Sequence, residues 1–405
     1  MAIEREIIVD SLIEILEKNQ YSHIVEKAVL DKYDYLPNNE KAFIKRTIEG
    51  TIENLIPIDE VINQYSKVKV NKLKPMIRTI LRMSIYQLLY MDKIPDSAVC
   101  NEAVKIANKR GFRTLSGFVN GILRNISRNK SDIKIDDLNV LPSWLMEHFK
   151  TNYGEDTANI IVQDIKKEHP VVIRERKKLK DVSNMTKVSY LDNAYIVNKG
   201  ISIADIKGYN DGDFIVQDIS SQMVCNIAGI KAGDVVIDVC AAPGGKSIHA
   251  CDLGAYVYAS DISQKKIDYI KQNAKRCNVD NITIKVQDAT ILDESMLDKA
   301  DVLIADVPCS GLGVIGKKSD IRFKVKKEDL DKIVQIQKKI IDTVHRYVKK
   351  GGILMYSTCT LNPDENEKMA QYIVDNYSFE MLYEKQFIPG IDGTDGFYLS
   401  KLKKL

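Results

Sequence analysis

From residue 233 onward the sequence alternates short apolar runs with amphipathic stretches, and this alternation limits the possible folds more than any other feature. The apolar runs have the length and β-branched composition of buried strands. The predicted strands cover 235–239, 256–260, 282–286, 302–305 and 353–356, and the helices between them include 264–277 and 327–349. Such alternation predicts an open parallel sheet with helices on both faces. Ligands of these sheets bind beyond the carboxyl ends of the strands, so the residues at those ends are the candidate site.

The 405 residues are enough for two or three domains. Up to about residue 128 the apolar residues recur at helical spacing, and prolines interrupt the pattern, which predicts a bundle of short helices. A polar run at 127–132 and a mixed region follow. We therefore predict an all-α domain over 1–130, a small mixed α+β domain over 131–225 and a Rossmann-like α/β domain over 226–405.

The net charge is only +3, but the charges are unevenly distributed. Residues 1–66 contain 7 Lys/Arg and 13 Asp/Glu, whereas residues 67–130 contain 14 and 3. A basic block is often a solvated helical face, but it is also what a surface that binds nucleic acid requires. We expect this block, the segment 174–180, and the side chains of Arg322, Lys324, Lys326 and Lys327 to neutralise phosphates, so that binding to a nucleic acid would weaken with salt.

The seven cysteines contain no Cys-x-x-Cys pair and have no paired histidines nearby, so a zinc site is not expected. An odd number of cysteines without a secretory start argues against a disulfide framework. No apolar run has the 18 or so residues that a membrane span needs. We expect a cytoplasmic protein with reduced thiols, without a metal and without a membrane partner.

The first predicted strand leads into a glycine turn, Cys240-Ala-Ala-Pro-Gly-Gly-Lys246, and a helix is predicted to begin at about Lys246. A helix N-terminus with a lysine favours an anionic group, either a phosphate or a carboxylate. Gly245-Lys-Ser247 matches the second half of a Walker A loop, so a nucleotide hydrolase is one interpretation. That loop also needs a glycine where this chain has Cys240, and the dinucleotide pattern Gly-x-Gly-x-x-Gly is missing. A ligand without a pyrophosphate is therefore favoured.

Two aspartates follow the next strands at positions that suit a nucleoside. Asp261 ends the second strand, where a carboxylate can accept hydrogen bonds from both ribose hydroxyls, and Asp288 ends the third, near an adenine edge. Either aspartate alone is more often a cap or turn residue. Together with the glycine turn, they describe a pocket for a nucleoside that carries an amino-acid carboxylate. We therefore expect S-adenosylmethionine as the cofactor.

Two thiols follow the fourth and fifth strands, in Asp306-Val-Pro-Cys-Ser-Gly311 and Ser357-Thr-Cys359. A single free cysteine is usually an inert core residue, but both of these lie at the ligand edge of the sheet. A thiolate that adds to carbon 6 of a pyrimidine makes carbon 5 nucleophilic enough to attack a methyl donor. The reaction also needs a base, and an acid at ring atom N3, for which Asp306 is the candidate. The motif order does not decide which thiol attacks.

These motifs resemble those of the 5-methylcytosine RNA methyltransferases of the RsmB/Nop2/Sun family, and residues 1–128 resemble a NusB-type RNA-binding bundle. The matching segments are Asn120-Gly-Ile-Leu-Arg124, Val216-Gln-Asp-Ile-Ser-Ser-Gln222, Cys240 to Lys246, Asp306 to Gly311, Ser357 to Cys359 and Asp395-Gly-Phe-Tyr398. The resemblance implies that Cys359 is the nucleophile and that Cys309 assists release of the methylated RNA. It implies an S-adenosylmethionine site formed by Cys240, Ala241, Ala242, Pro243, Gly244, Gly245, Lys246, Asp261, Asp288 and Asp306.

For the substrate, the resemblance implies carbon 5 of a cytosine in small-subunit ribosomal RNA, of the type at position 967, in free RNA or an early assembly particle, and a monomeric enzyme. The segment 316–323 lacks the family's proline, and Arg176 stands where an asparagine is usual. Another ribosomal RNA or transfer RNA site is therefore an alternative. A non-catalytic, antitermination-like RNA-binding factor would explain residues 1–128 but would not account for the two thiol loops.

Overall fold

The computed structural model describes residues 2–136 and 138–405. The α-helices are α1 Ala2–Leu16, α2 Ser22–Lys32, α3 Asn38–Glu53, α4 Leu55–Tyr65, α5 Pro75–Tyr90, α6 Asp96–Lys109, α7 Ser116–Arg128, α8 Ser143–Tyr153, α9 Glu155–Ile165, α10 Ile219–Ala228, α11 Gly245–Asp252, α12 Gln264–Arg276, α13 Ile321–Lys324, α14 Lys327–Val344 and α15 Glu367–Asn376. Short 3₁₀ turns cover Val70–Lys72, Arg113–Leu115, Lys130–Asp132, Ile203–Asp205, Glu294–Met296 and His345–Tyr347. The described part of the chain contains no helix long and apolar enough to cross a membrane.

The strands are β1 Val172–Glu175, β2 Met185–Lys187, β3 Ala194–Val197, β4 Phe214–Val216, β5 Val235–Asp238, β6 Tyr256–Asp261, β7 Ile282–Val286, β8 Ala300–Asp306, β9 Val348–Thr358, β10 Phe379–Phe387 and β11 Phe397–Lys404. The chain divides into two compact units. One contains residues up to His148 together with Lys317–Lys324, and the other contains Phe149–Gly316 and Val325–Leu405. The predicted boundaries at 130 and 225 stay predictions.

The first unit is a helical bundle, as the periodicity predicted. The stripes that contain Ile8 and Leu12 in α1, and Ile77, Ile80 and Leu81 in α5, are fully buried and belong to one hydrophobic core. Pro75 is the first residue of α5, where its missing N–H costs no helical hydrogen bond. The core is formed by the apolar faces of α1 and α3 to α7.

A short segment distant in sequence, Lys317–Lys324, completes this unit. Asp320 accepts hydrogen bonds from the Ser22 N–H (2.9 Å) and hydroxyl (2.8 Å), so it caps the N-terminus of α2. Arg322 is 2% exposed and donates to the Val140 carbonyl (3.1 Å), and Lys324 donates to the Gln20 carbonyl. The prediction that Arg322 and Lys324 neutralise phosphates is therefore wrong, because both guanidinium and ammonium groups are engaged inside the unit.

The second unit contains two sheets. β1 to β4 form a small antiparallel sheet in the order β2-β3-β1-β4. The larger sheet has the order β10-β11-β9-β8-β5-β6-β7, in which β5 to β9 are parallel and β11 runs antiparallel to β9 and β10. The predicted parallel sheet is confirmed, and the antiparallel pair β10 and β11 extends one edge. The strand order reverses between β5 and β8, and this is the position where such sheets bind ligands.

Two arginines of the segment 174–180 connect the small sheet to the rest of the unit. Arg174 is 4% exposed and pairs with Asp252 (2.7 Å), and Arg176 pairs with the same carboxylate (2.6 Å) and donates to the Cys277 carbonyl (2.9 Å). The prediction that these two arginines neutralise phosphates is therefore wrong. The lysines of the segment at 177, 178 and 180 are exposed, as are those at 326 and 327.

Candidate active site

The glycine turn after β5 leads into α11 and is closed by a hydrogen bond within the turn. The N–H of Gly244 donates to the Ala241 carbonyl (2.7 Å), and the Ala241 N–H donates to the Ser260 carbonyl (3.0 Å). Gly244 has a φ of +104°, in a backbone region that side chains disfavour. Burial raises the pKa of the Cys240 thiol, and the carboxylates of Asp261 and Asp238 raise it further, so this thiol stays protonated. The turn presents backbone and small side chains rather than a wide phosphate loop.

Asp238 was not among the predicted site residues, although it ends β5 directly before this turn. Its Oδ2 accepts from the Ser247 hydroxyl (2.6 Å), whereas Oδ1 is buried and has no hydrogen-bond partner. Burial raises the pKa of Asp238 to about 7, and the hydrogen bond from Ser247 partly offsets this. An unpaired buried carboxylate oxygen is costly unless a donor arrives. A ligand ammonium group, such as that of an amino-acid end, would supply one.

The two predicted nucleoside aspartates differ in their surroundings. Asp261 is 3% exposed, accepts from the Ala242 N–H (3.1 Å) and pairs with Lys266 (2.9 Å), so it joins the end of β6 to the glycine turn. Asp288 instead accepts from the N–H and hydroxyl of Thr290, two residues further on. These hydrogen bonds hold the pKa of Asp288 below its usual value. The structure therefore brings Asp261 to the turn, while the Asp288 side chain caps its own loop.

Lys246 and Asp306 connect the glycine turn to the tip of β8. The Lys246 ammonium lies 2.5 Å from Asp306 Oδ2, and the Ser357 hydroxyl donates to Oδ1 (2.7 Å) from the neighbouring β9. Burial alone would lower the pKa of Lys246, but the Asp306 carboxylate reverses this and raises it. The ammonium also lies 5.5 Å from the centre of the Phe397 ring. The ion pair therefore places a fixed positive charge beside the strand tips.

The two predicted thiols meet. Cys309 Sγ and Cys359 Sγ are 3.3 Å apart, since the strands that precede them pair through Asp306 and Ser357. The hydrogen bond to Cys359 raises the pKa of Cys309 well above the usual value, and burial adds to this. Cys359 is also one of the groups whose charge raises the pKa of Lys246. A positive charge thus acts on Cys359, while Cys309 stays a protonated thiol.

The loop after Cys309 packs against the chain at two glycines. The Gly313 N–H donates to the Cys359 carbonyl (3.0 Å), and the Gly396 N–H donates to the Gly313 carbonyl (2.9 Å). A Cβ atom added at Gly313 would lie 1.9 Å from the Gly396 carbonyl oxygen, so only glycine fits. This contact gives a structural reason for the motif Asp395-Gly-Phe-Tyr398, which crosses to the thiol loops.

A further carboxylate, Glu365, was missed in the sequence, where it resembles an ordinary charged residue in a turn after Pro363. It is fully buried and accepts hydrogen bonds from Ser310, Asn362 and Gln337. The only sequence signal was its position six residues after Cys359 in the polar run Asn362-Pro-Asp-Glu-Asn-Glu367.

This arrangement fits S-adenosylmethionine. The unpaired oxygen of Asp238 suits the ammonium group, the left-handed turn at Gly244 leaves room for close backbone approach, and the buried Asp261 carboxylate suits ribose hydroxyls. No group of side chains suited to hold a metal ion occurs among the described residues. The site combines acceptors for a nucleoside amino acid with a thiol pair.

Comparisons with known proteins agree with both parts of the chain. A family model described as 16S rRNA methyltransferase RsmB/F matches residues 227–403, and the NusB family model matches residues 2–128. The chain is 31% identical to the probable ribosomal RNA small subunit methyltransferase B of Bacillus subtilis, over 99% of this chain and 98% of that protein. It is 26% identical to ribosomal RNA small subunit methyltransferase B of Proteus mirabilis, over 91% and 92% of the two chains.

Solved structures show the same fold. The crystal structure of PH0851 superposes with a TM-score of 0.85 at 22% identity, over 100% of this chain and 99% of that one. NSun6 from Pyrococcus horikoshii with SFG superposes with a TM-score of 0.59 at 20% identity, over 65% of this chain and 98% of that one.

Proposed function

The chain belongs to the RsmB family of S-adenosylmethionine-dependent methyltransferases of small-subunit ribosomal RNA, and from that premise we propose that it methylates carbon 5 of a cytosine through a covalent adduct with Cys359. The observation that carries this proposal is the pair of thiols 3.3 Å apart beside the Lys246–Asp306 ion pair. A methyl transfer to oxygen or to an exocyclic nitrogen would have no use for two adjacent thiols. A carbon that must first be activated by addition does.

The cofactor supplies an electrophilic methyl group on a sulfonium. We assign Asp238 to its ammonium group and Asp261 to its ribose, with the backbone from Cys240 to Lys246 lining the donor. Asp288 contributes through its loop rather than its carboxylate, because that carboxylate is already held by Thr290. The assignment of Asp238 follows from the oxygen that it has left to accept a hydrogen bond, and that of Asp261 follows from its buried position beside the glycine turn.

In the first step the Cys359 thiolate adds to carbon 6, and the electron pair of the 5,6 double bond makes carbon 5 nucleophilic. Asp306 holds the Lys246 ammonium, and a proton that passes from this pair to ring atom N3 neutralises the charge that develops there. Carbon 5 then takes the methyl group. The positive charge of Lys246 favours Cys359 as the attacking thiolate, because Cys359 is the thiol whose charge it experiences.

In the second step a base removes the proton from carbon 5, the 5,6 double bond re-forms, the Cys359 thiolate leaves, and ring atom N3 returns its proton to the Lys246–Asp306 pair. Cys309 is within reach of the sulfur that must depart, and its raised pKa makes it a proton carrier rather than a competing nucleophile. We therefore assign it to the breakdown of the adduct and the release of the RNA.

Two substitutions test these roles. We expect Cys359→Ala to abolish methyl transfer and Cys309→Ala to leave RNA covalently attached, visible as a slow band on a denaturing gel. Cys277→Ala is the matched control, because that thiol is buried in a separate cluster with Ile215 and Ile248. Trapping by the Cys359 variant instead would reverse the assignment, and full activity in both variants would exclude covalent catalysis.

The target cytosine must be unstacked or flipped, because carbon 6 is shielded in a stacked helix. We propose a site of the position-967 type in 16S ribosomal RNA, in the cytoplasm, with the enzyme acting as a monomer. Bisulfite mapping of ribosomal and transfer RNA from cells with and without the gene tests the site, since one cytosine of 16S ribosomal RNA should lose its methyl group. A loss at a transfer RNA position would support the alternative substrate.

Binding should depend on salt, because the exposed lysines at 67, 69, 72, 74 and 93 of the basic block and at 177, 178 and 180 are available for phosphates. Five other basic residues of the block pair with carboxylates: Arg78, Arg82, Lys105, Lys109 and Arg110. RNA affinity measured over a salt series is expected to fall steadily. An affinity that does not change with salt would contradict the phosphate contacts.

A further inference from the structure

Glu365 lies in the connection between β9 and α15, and its side chain is completely buried. Oε2 accepts hydrogen bonds from the Ser310 N–H (2.9 Å) and the Gln337 amide (3.0 Å). Oε1 accepts from the Ser310 hydroxyl (2.5 Å) and the Asn362 amide (3.0 Å). Burial raises the pKa of Glu365 above its usual value, and the four donors around its two oxygens offset this by stabilising the ionised carboxylate.

Ser310 and Asn362, two of the three partners of Glu365, belong to the loops that carry the thiols, and the third, Gln337, lies in α14. Ser310 follows Cys309 directly, so the amide that Glu365 binds is the next one along the backbone. Asn362 lies three residues after Cys359. The Ser310 hydroxyl is also 2.6 Å from the Thr360 hydroxyl, so a direct hydrogen bond joins the two thiol loops in addition to the bonds through the carboxylate. A single side chain therefore links the loops whose sulfurs are 3.3 Å apart.

We propose that Glu365 is a positioning residue for the release step. By accepting hydrogen bonds from both the N–H and the hydroxyl of Ser310, it fixes Cys309 against Cys359. The inference rests on the proposed function, because release of the methylated RNA is a step of that function. The hydrogen bonds of Glu365 are observed independently of it. A carboxylate with charge-assisted hydrogen bonds holds a loop more firmly than a neutral acceptor can. Loss of the acceptor would leave the buried Ser310 N–H unpaired, and the loop would move to find water.

The negative charge of Glu365 also supports the role of Cys309 in proton transfer, because it helps to keep that thiol protonated. Besides Cys359 and burial, the negative charge of Glu365 contributes to raising the pKa of Cys309. The Lys246 ammonium acts on the other thiol. The site therefore places a fixed anion beside the thiol assigned to proton transfer and a fixed cation beside the thiol assigned to attack.

Glu365→Gln tests the proposal, because it keeps the shape of the side chain and removes the charge and half of the acceptor oxygens. With RNA and methyl donor, we expect formation of the covalent adduct in a single turnover to stay within about threefold of the unchanged enzyme. Decay of the adduct should slow by about tenfold or more, as the charge-assisted bond is lost. Glu367→Gln, two residues along the chain, is the matched control and should decay at the normal rate.

A second measurement needs no RNA. Alkylation of the full-length protein by iodoacetamide at about pH 8, followed by peptide mass spectrometry, gives a rate for each thiol. We expect Cys309 to react at least about threefold faster in Glu365→Gln than in the unchanged protein, with Glu367→Gln unchanged. Ser310→Ala, which keeps the backbone bond, should show a smaller increase and covers the case in which Glu365→Gln does not fold.

Normal adduct decay and normal Cys309 alkylation in Glu365→Gln would overturn the proposal. An equal loss of adduct formation and decay would also overturn it, because that pattern describes a general structural role. If Cys309→Ala itself fails to trap RNA, the proposed function fails. If Cys309→Ala traps RNA while Glu365→Gln behaves normally, only the positioning role fails.

Discussion

Replacing Asp238 with asparagine should remove the pH dependence of methyl-donor binding below about pH 7.5. Asp238 is fully buried, its Oδ1 has no partner, and its pKa is raised to about 7. We expect the donor ammonium to bind the ionised form. The carboxylate is about one tenth ionised at pH 6 and about three quarters ionised at pH 7.5, so affinity should rise about eightfold over this range.

The direction in which folding stability changes with pH follows from the raised pKa of Asp238. The folded-state pKa lies above the ordinary value of 3.8, so the stability that the protonated group contributes is present below about pH 4 and is lost as the pH rises through 7. The affinity for the methyl donor instead increases with pH, because its ammonium group binds the ionised carboxylate, the form that burial disfavours. Lys246 lowers the pKa of Asp238, whereas Asp306 and Asp261 raise it, so these three charges must be kept unchanged.

The assay is calorimetric titration of S-adenosylmethionine at about pH 6, 6.5, 7 and 7.5, in two buffers with different protonation enthalpies. The range stops where the ligand's own amino group begins to lose its proton. Asp238→Asn should bind between about tenfold and a hundredfold more weakly at pH 7.5, the value of one charged hydrogen bond, and its profile should be flat.

Ser247→Ala is the matched variant, because it removes the hydrogen bond that lowers the pKa of Asp238. Its binding profile should keep the same shape with a midpoint at higher pH. A pH-independent affinity in the unchanged protein, or a normal profile in Asp238→Asn, would refute the assignment of Asp238 to the ammonium group.

The remaining predictions concern the thiol loops and the ion pair. Gly313→Ala should lower methyl transfer by an order of magnitude or more in steady-state assays, because its Cβ would collide with the Gly396 carbonyl oxygen; activity within twofold would contradict this. Diamide should convert Cys309 and Cys359 to a disulfide by accepting their two hydrogens, since the sulfurs are 3.3 Å apart. Intact mass should fall by about 2 Da, peptide mapping should show Cys309 linked to Cys359, and dithiothreitol should restore activity; a disulfide between other cysteines would contradict this. Lys246→Met should weaken methyl transfer about thirtyfold by leaving a partly buried carboxylate unpaired, measured as kcat/KM.

The sequence was informative wherever chemistry depends on the position of a strand end. Alternating apolar runs located β5 to β9, and the residues that end them, such as Asp261 and Asp306, could be named before their contacts were known. The thiol pair was predictable for the same reason, because neighbouring parallel strands bring their ends together. The antiparallel strands β10 and β11 were missed, since β10 alternates buried and exposed residues and polar residues from Ser400 onward interrupt the apolar start of β11.

Side-chain partners far apart in sequence could not be predicted. Arg174 and Arg176 occupy a basic run that predicts phosphate binding, but Asp252 lies more than 70 residues away and pairs with both. Arg322 belongs to a segment whose partners lie in the helical unit. Glu365 has the composition of a solvated turn, and only its four donors reveal that it is buried. In each case tertiary contacts decide what a charged residue does.

The central claim is that Cys359 attacks carbon 6 of a cytosine, and RNA that contains 5-fluorocytosine tests it most directly. Fluorine at carbon 5 cannot be removed as a proton, so the adduct cannot break down after methyl transfer and remains attached to the enzyme. Digestion and peptide mass spectrometry then identify the modified residue. We predict a nucleotide attached to the peptide that contains Cys359, and none when Cys359 is replaced by alanine. Attachment at Cys309, or turnover of the fluorinated RNA without any adduct, would contradict the mechanism.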